Sequence, residues 1–242
     1  MNFPCNMILN IQTPPFYLDN NGLLYKGDCL NILGKMPNNS IDFILTDPPY
    51  GINFTNSRRN KIKNDSRVDA IDIFEQFIIK SARILKPGGC CCVFCFSGGR
   101  KPLFPIWIQI MQEHLEYKST VVWDKQIIGL GSHYRHIYDF ILIGKKTGNK
   151  CKWNGGKNKS NIVHERKVIP KSSAHPTPKP VELMKYFIKL HSNADDIILD
   201  PFAGCGPTLQ AAIELNRKYI GIEIENRYCR NIANNFRKLS SI

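Results

Sequence analysis

No apolar run in this 242-residue sequence approaches the length of a membrane-spanning segment, so we expect no membrane partner. The first residues lack the basic segment and the apolar stretch of a signal peptide, which predicts a cytoplasmic protein. The nine cysteines show no spacing typical of a zinc site, so we expect no metal. Four of them lie within Cys90–Cys95, which indicates a buried strand whose adjacent thiols point to opposite faces and pair poorly.

Acidic residues are also scarce, because 20 Asp and Glu stand against 33 Lys and Arg and leave a net charge of +13. Residues 145–171 hold nine Lys and Arg against one Glu, and residues 58–67 hold five against one Asp. This concentration predicts contact with a polyanion, nucleic acid first, with a Lys-rich disordered loop as the alternative. The candidate DNA-binding residues are Arg58, Arg59, Lys61, Lys63, Lys150, Lys152, Lys157, Lys159, Arg166 and Lys167.

Predicted strands and helices alternate along most of the chain, which favours a single α/β domain over residues 1–242. We expect a doubly wound, mostly parallel sheet with helices on both faces. Segments 117–123 and 137–143 follow one another without an intervening helix, so this pair of strands should be antiparallel. Other predicted segments are a helix over 71–85, a mobile basic loop at about 51–70 and a basic target-recognition insert at about 144–174.

The tetrapeptide Asp47-Pro48-Pro49-Tyr50 follows the apolar run Ile41–Thr46 and is the first candidate site. Each proline fixes φ and removes a backbone donor, which leaves the Pro48 carbonyl as a free acceptor. Asp47 supplies a second acceptor, and Tyr50 supplies a flat ring. These groups suit a planar heterocycle that carries an exocyclic amino group. A strand end followed by a polyproline turn is the structural alternative.

A strand, a small-residue turn and a helix are predicted over residues 197–214. Gly204 and Gly206 permit close backbone approach, and Pro207 suits the first helical position. The hydroxyl of Thr208 is expected near the free amides of the helix N-terminus, which favour a carboxylate ligand. Glu223 ends the next strand, where an acid about twenty residues past a glycine turn commonly holds ribose hydroxyls. This order predicts an adenosine-containing cofactor, with an ordinary βα turn as the alternative.

These motifs resemble the beta class of amino-group DNA methyltransferases, which act on adenine N6 or cytosine N4. Residues 47–50 are similar to the catalytic motif of that class, residues 200–208 to its S-adenosylmethionine turn, and Glu223 to its ribose-binding acid. Residues 175–180 resemble the motif that precedes the turn, and the order of the motifs matches. The resemblance spans residues 24–236 and implies a Rossmann-like S-adenosylmethionine-dependent methyltransferase fold with a mostly parallel seven-stranded sheet.

The resemblance implies that a base flipped out of double-stranded DNA receives the methyl group of S-adenosylmethionine directly, without a covalent intermediate. Tyr50 would stack on the base, and Asp47 with the Pro48 carbonyl would hold the amino group. Lys179 would pair with the cofactor's carboxylate, unless it is a solvated lysine between prolines. The implied catalytic residues are Asp47, Pro48, Pro49 and Tyr50, and the implied cofactor-binding residues are Asp28, Cys29, Asp47, Thr177, Lys179, Asp200, Pro201, Phe202, Ala203, Gly204, Gly206, Thr208 and Glu223.

The target base, the recognition element and the partners stay open at this level. Adenine N6 is favoured because aspartate stands at position 47; cytosine N4, RNA methylation and a catalytically silent nucleic-acid-binding protein are the alternatives. The 144–174 insert is small for a target-recognition region, so either the recognition site is short, or specificity is low, or the 51–70 loop shares the recognition. Residues 133–136 are either a phosphate contact or an ordinary loop. A homodimer and a cognate restriction endonuclease are left open as partners.

Overall fold

The computed structural model describes residues 11–50, 67–98, 102–129, 133–168 and 179–239. Its strands are β1 (Tyr17–Leu18), β2 (Gly22–Lys26), β3 (Ile41–Thr46), β4 (Leu85–Cys95), β5 (Glu116–Asp124), β6 (Tyr138–Lys145), β7 (Ile162–His164), β8 (Ile197–Asp200) and β9 (Lys218–Glu223). Its helices are α1 (Cys29–Lys35), α2 (Arg67–Ile84), α3 (Phe104–His114), α4 (Val181–His191), α5 (Pro207–Glu214) and α6 (Asn226–Leu239). None of these helices combines the length and the apolar character needed to cross a membrane.

Within the described residues the strands form one sheet of nine, in the order β1-β2-β9-β8-β3-β4-β6-β5-β7. The five strands from β2 to β4 in that order are parallel to one another. Strand β6 is antiparallel to both β4 and β5, which confirms the predicted antiparallel pair. The two short edge strands, β1 and β7, extend the expected seven-stranded sheet to nine.

Both faces of the sheet are covered by apolar side chains, as expected for a mostly parallel sheet. Every residue of β3 is buried. Along β4, Cys91, Val93 and Cys95 pack into the core on one face, whereas Cys90 and Cys92 pack into the core on the other. The cysteine-rich segment is therefore the buried strand that the sequence predicts.

Two predicted boundaries on either side of α2 are wrong. This helix begins at Arg67, so residues 67–70 are helical and not part of a loop, and Ala70 is buried against the core. Strand β4 begins at Leu85, the last residue of the predicted helix over 71–85, so the strand starts five residues before Cys90. A register shift between Ile41 and Phe43 of β3 accommodates these extra residues, among which Gly88 has a φ of +83°. The remainder of the predicted 51–70 loop lies outside the described residues.

Candidate active site

The two principal motifs meet at one edge of the sheet. Strands β3 and β8 are parallel neighbours, so Thr46 and Asp200 both lie where their strands end. We call this the carboxyl edge and the opposite one the amino edge. The Thr46 hydroxyl donates to Asp200 Oδ1 at 2.6 Å across 154 positions of sequence. Ligands of open α/β sheets bind at the carboxyl ends of parallel strands, so this edge is the expected location of a site.

Asp47 follows β3 and is held by two neighbouring side chains. The Tyr50 hydroxyl donates to Asp47 Oδ1, and the Lys179 ammonium forms an ion pair with Oδ2. Lys179 Nζ is also 3.2 Å from the Tyr50 hydroxyl and 5.1 Å from the centre of the Phe94 ring. The Asp47 side chain remains 31% exposed, so the carboxylate is oriented while part of it stays open to a ligand.

Lys179, which is predicted to pair with the cofactor's carboxylate, forms an ion pair with Asp47 in the structure, because the chain enters α4 beside residues 47–50. Its contact with the cofactor stays a prediction. Thr177, the other residue expected at that end of the cofactor, lies outside the described residues.

The Tyr50 ring lies against an aromatic cluster that the sequence did not reveal. Its ring centre is 6.1 Å from that of Phe96 and 6.2 Å from that of Trp107. Trp107 in turn stacks on Phe74 at 4.1 Å. Burial, together with the charge of Asp47, raises the pKa of Tyr50 well above its ordinary value. The phenol therefore stays protonated and donates to Asp47 over the physiological pH range.

The turn after β8 brings two acids and two glycines together. Asp200 Oδ1 also accepts from the Phe202 amide at 3.1 Å. Gly204, with a φ of +54°, donates its amide to Glu223 Oε2 at 2.8 Å. Gly206, with a φ of +84°, caps the N-terminus of α5. These left-handed backbone positions favour glycine, which explains the spacing of the motif.

Burial raises the pKa of Asp200 to about 6 and that of Glu223 to about 7. Both Glu223 oxygens accept backbone amides, from Gly204 and from Glu225. Asp28 lies nearby, because the Gly27 amide donates to the Glu223 carbonyl, and its side chain caps α1 through the Asn31 amide at 3.0 Å. Carboxylates beside a glycine turn at the carboxyl edge fit the adenosine part of the expected cofactor.

Several predicted cofactor-binding side chains face the protein interior. Pro201 and Ala203 are buried, and the buried Thr208 hydroxyl lies 3.6 Å from the sulfur of Met184. A hydrogen bond from Thr208 acts against burial and lowers the pKa of Asp200. Cys29 is buried in the core beside Asp28. These side chains shape the turn, whereas Phe202, which is half-buried, presents a ring at the edge.

Two of the predicted DNA-binding lysines of the insert, Lys150 and Lys152, lie at the amino edge, away from Asp47. Strand β6 is antiparallel to β4, so the chain leaves β6 at Lys145 on the amino side of the sheet. The Lys150 carbonyl lies beside Gly88 there. The chain crosses back before β7, whose first residue, Ile162, pairs with Val122 near the carboxyl end of β5. Lys157 and Lys159 belong to this crossing stretch.

Lys152 is moreover not a free cation. Its ammonium contacts the buried Asp42 at 3.0 Å and Asp196 at 2.7 Å, near the starts of β3 and β8. Next to it, the Asn154 side chain donates to the carbonyls of Lys189 and Ser192. We call residues 151–154 the strap, because they fasten the insert to the amino edge. That Lys152 contacts DNA stays a prediction, although in the structure its ammonium is paired with Asp42 and Asp196.

Other basic and aromatic groups do lie at the carboxyl edge. Arg166 and Lys167 follow β7, and the Lys167 amide donates to the Lys125 carbonyl just beyond β5. Burial and the neighbouring charges of Lys125 and Lys179 lower the pKa of Lys167. Tyr134 is 95% exposed in the turn between β5 and β6, where Arg135 is exposed as well. Arg58, Arg59, Lys61 and Lys63 lie outside the described residues.

Comparisons with known proteins agree with this geometry. The sequence profile of the family described as DNA methylase (N6_N4_Mtase) matches residues 41–235. The DNA adenine methyltransferase YhdJ of Escherichia coli is 30% identical over 244 residues, which cover 84% of this chain and 79% of that protein. The type II methyltransferase M2.MboI of Moraxella bovis is 27% identical over 237 residues, covering 86% and 84%.

Solved structures agree as well. The M1.HpyAVI–SAM complex has a TM-score of 0.69 and 25% identity, covering 89% of this chain and 98% of that one. The PvuII DNA methyltransferase (cytosine-N4-specific) has a TM-score of 0.73 at 20% identity, covering 96% and 94%, which shows a shared fold. The chain therefore belongs to the DNA methylase family of beta-class amino-group methyltransferases, which modify adenine N6 or cytosine N4 with S-adenosylmethionine as the methyl donor.

Proposed function

We propose that this protein transfers a methyl group to adenine N6 in double-stranded DNA, on a base that has been flipped out of the helix. The observation that carries the proposal is the Thr46–Asp200 hydrogen bond, because it joins the Asp47 motif to the cofactor turn. Aspartate at position 47 and the 30% identity to a DNA adenine methyltransferase support adenine over cytosine.

S-adenosylmethionine supplies an activated methyl group. Asp28, Glu223 and the 200–206 turn would hold its adenosine part at the carboxyl edge. Because Glu223 already fixes the amides of Gly204 and Glu225, its carboxylate is oriented before any ligand arrives. Its remaining lone pairs are the ones available to ribose hydroxyls.

The target amino group is a poor nucleophile, since its lone pair is conjugated with the base. The exposed part of Asp47 and the Pro48 carbonyl would accept the two amino hydrogens and stabilise the positive charge that develops on nitrogen. Lys179 and Tyr50 hold the carboxylate in one orientation, so little reorganisation accompanies the reaction.

A flipped base also needs a rigid surface to replace its stacking in DNA. The Tyr50 ring meets this need, because Phe96 and Trp107 support it from behind. Stacking of a base on an aromatic side chain contributes about 1–3 kcal/mol, comparable with the cost of unstacking.

The duplex would then lie across the carboxyl edge. The described groups placed to meet it are Arg166, Lys167, Tyr134 and Arg135, in two loops that flank the site. Lys150 is at the other edge, beside Gly88, so we assign it no part in reading the target. This assignment revises the expected role of the 144–174 insert, of which β7 and the described residues after it lie at the carboxyl edge.

Methylation of unmodified plasmid DNA by the purified chain, followed by nucleoside mass spectrometry, tests the proposal. We expect N6-methyladenine, with no product from Asp47→Ala protein. If the product is N4-methylcytosine, the assigned target base changes from adenine to cytosine, and the assigned site residues stay the same. The proposed substrate would be contradicted if neither methylated base forms on DNA while RNA is methylated under the same conditions.

The type II relatives also lead us to propose that this methylation protects DNA from a cognate restriction endonuclease. Methylation-sensitive sequencing of the same DNA should reveal one short recognition sequence. Endonuclease preparations from the source cell should then cleave unmodified DNA at that sequence and spare the methylated form. Methylation scattered without a consensus would contradict this role.

A further inference from the structure

Three side chains outside the active site form a separate cluster at the amino edge. Cys90 is the middle residue of β4 and pairs with Lys145, the last residue of β6. Cys151 is the first residue of the strap, and His191 is the last residue of α4. Their sulfur and ring-nitrogen ligand atoms all lie within 4.8 Å of one another. Cys90 and Cys151 are 61 positions apart in the sequence, and Cys151 and His191 are 40 apart, so the three residues form no recognisable sequence motif.

His191 is the unusual member of the cluster. It is 4% exposed, and neither ring nitrogen has a hydrogen-bond partner among the described groups. Its neighbours are apolar: the Phe43 ring stacks on it at 5.3 Å, and the Trp153 ring is tilted against it at 5.3 Å. A buried polar group without a partner is costly, so an imidazole in this position calls for a ligand.

The two cysteines face this imidazole. Their sulfurs are joined as a disulfide in the structure, and their Cα atoms are 6.8 Å apart, at the upper end of the range for such bonds. They have no part in the methyl transfer, because they lie at the edge opposite Asp47. Two thiolates and an imidazole form a donor set that tetrahedral Zn²⁺ prefers.

We propose that Cys90 and Cys151, when reduced, bind a Zn²⁺ ion together with His191. Binding would release the two thiol protons and give His191 the partner it lacks. A cavity of about 250 Å³ adjoins the cluster, lined by Ser119, Asn161 and Tyr186 among others, and leaves room for water as the fourth ligand.

The bound ion would connect the strap with the central sheet and with α4. The strap is already held there by Lys152, whose ammonium contacts Asp42 and Asp196, and by the Asn154 side chain. From the strap the chain continues through β7 to Arg166 at the carboxyl edge. The ion would therefore stabilise the base of the segment that reaches the DNA side, without touching the reacting groups.

The test uses the full chain, reduced with a phosphine and freed of metal. Titration with Co²⁺ should give the absorption bands of a tetrahedral thiolate site. One equivalent of Zn²⁺ should then displace the bound Co²⁺ and abolish these bands. Cys151→Ala and His191→Phe should each lose the bands, and phenylalanine keeps the ring that packs on Phe43. Cys91→Ala is the matched control, because Cys91 neighbours Cys90 on β4 but faces the other core.

Alkylation of the parent protein supplies a readout that needs no variant. Zn²⁺ should slow modification of Cys90 and Cys151 selectively, as located by peptide mass spectrometry. The proposal is overturned if the reduced parent gives no thiolate–Co²⁺ bands, if His191→Phe binds as the parent does, or if protection falls on other cysteines. It is also overturned if Cys90 and Cys151 stay joined under reducing conditions.

Discussion

At the scale of single residues, Asp47 carries the strongest assignment. Asp47→Ala should lower the rate of methyl transfer by at least about 3 kcal/mol of barrier, more than 100-fold, by analogy with the loss of one oxyanion-hole donor. Cofactor affinity should change little, since Asp47 acts on the target amino group. Single-turnover kinetics and calorimetry measure the two effects, and Asp72→Ala, an exposed acid on α2, is the control. A rate within tenfold of the parent would remove Asp47 from the mechanism.

Lys179 could act by orienting Asp47 or by binding the cofactor's carboxylate, and one variant distinguishes these two roles. Because its ammonium pairs with Asp47, Lys179→Met should reduce turnover while leaving S-adenosylmethionine affinity close to that of the parent. Lys189→Met, an exposed change on α4, should alter neither. A large loss of cofactor affinity with normal turnover at saturation would instead favour the contact with the cofactor carboxylate.

Glu223 should make cofactor affinity depend on pH. Burial raises the pKa of its carboxyl to about 7, so the free protein holds it largely protonated below that pH. The ionised form is the better acceptor for ribose hydroxyls, so affinity should rise as pH increases through about 7. When calorimetry is repeated on the Glu223→Gln variant, its cofactor affinity should show no inflection near pH 7. An inflection near pH 6, from Asp200, should remain. An unchanged upper inflection in the variant would contradict the role of Glu223.

The same shift has a consequence for folding stability, with a defined sign. A carboxyl whose pKa is raised in the folded state favours folding fully below its unfolded pKa, about 4.5, and loses that contribution as pH rises through about 7. Bound cofactor should compensate for this loss at higher pH, because it binds only the folded chain. The melting temperature of the cofactor-free parent should accordingly decrease as the pH is raised from about 4.5 to about 7.

At the scale of elements, the turn between β8 and α5 depends on backbone that only glycine adopts without strain. Gly204→Val should abolish cofactor binding, because a branched side chain at a φ of +54° strains the turn and displaces the amide that orients Glu223. Gly156→Val is the matched control: its φ is +67°, and a Cβ there meets nothing within 4 Å. The two variants should show similar losses of stability, about 1–2 kcal/mol by thermal unfolding. Near-parental cofactor affinity in folded Gly204→Val protein would contradict the assignment of the turn.

Local motifs made some elements predictable and left others hidden. Strand β3, the turn after β8 and the antiparallel β5–β6 pair follow from short apolar runs, glycines and a missing helix, all of which act over a few residues. The boundary at Arg67 was missed because tertiary burial of Ala70 outweighs the polar composition around it. The partner of Lys179 could not be inferred, because the contact depends on how α4 approaches β3 across 132 positions.

The location of the insert was, by contrast, within reach of the sequence. Once β6 is antiparallel to its neighbours, the chain after Lys145 must begin at the amino edge. Charge alone suggested a DNA-binding surface for the whole segment, but charge does not specify an edge of the sheet. Cys90, Cys151 and His191 were beyond prediction for a related reason, since only the three-dimensional fold brings such distant positions together.

At the scale of the whole molecule, the proposed active site and the strap lie at opposite edges of the sheet. The motifs come in the order Asp47 then Asp200, yet parallel pairing of β3 with β8 makes them neighbours. Strand β3 has six residues, so the two edges are about 20 Å apart at 3.3 Å per residue. A duplex that delivers a base to Asp47 therefore meets the loops at one edge only.

This separation predicts which charges control the salt dependence of DNA binding. Replacing Arg135 and Arg166 by Gln should reduce the slope of log affinity against log salt by up to about two units, at roughly 0.9 per phosphate contact. Replacing Lys146 and Lys150 by Gln removes the same charge but should leave that slope unchanged, because these two lysines lie beside Gly88 at the amino edge. Fluorescence anisotropy with one labelled duplex over a salt series compares the three proteins. A slope that falls in the lysine variant and not in the arginine variant would place the duplex on the opposite side of the sheet.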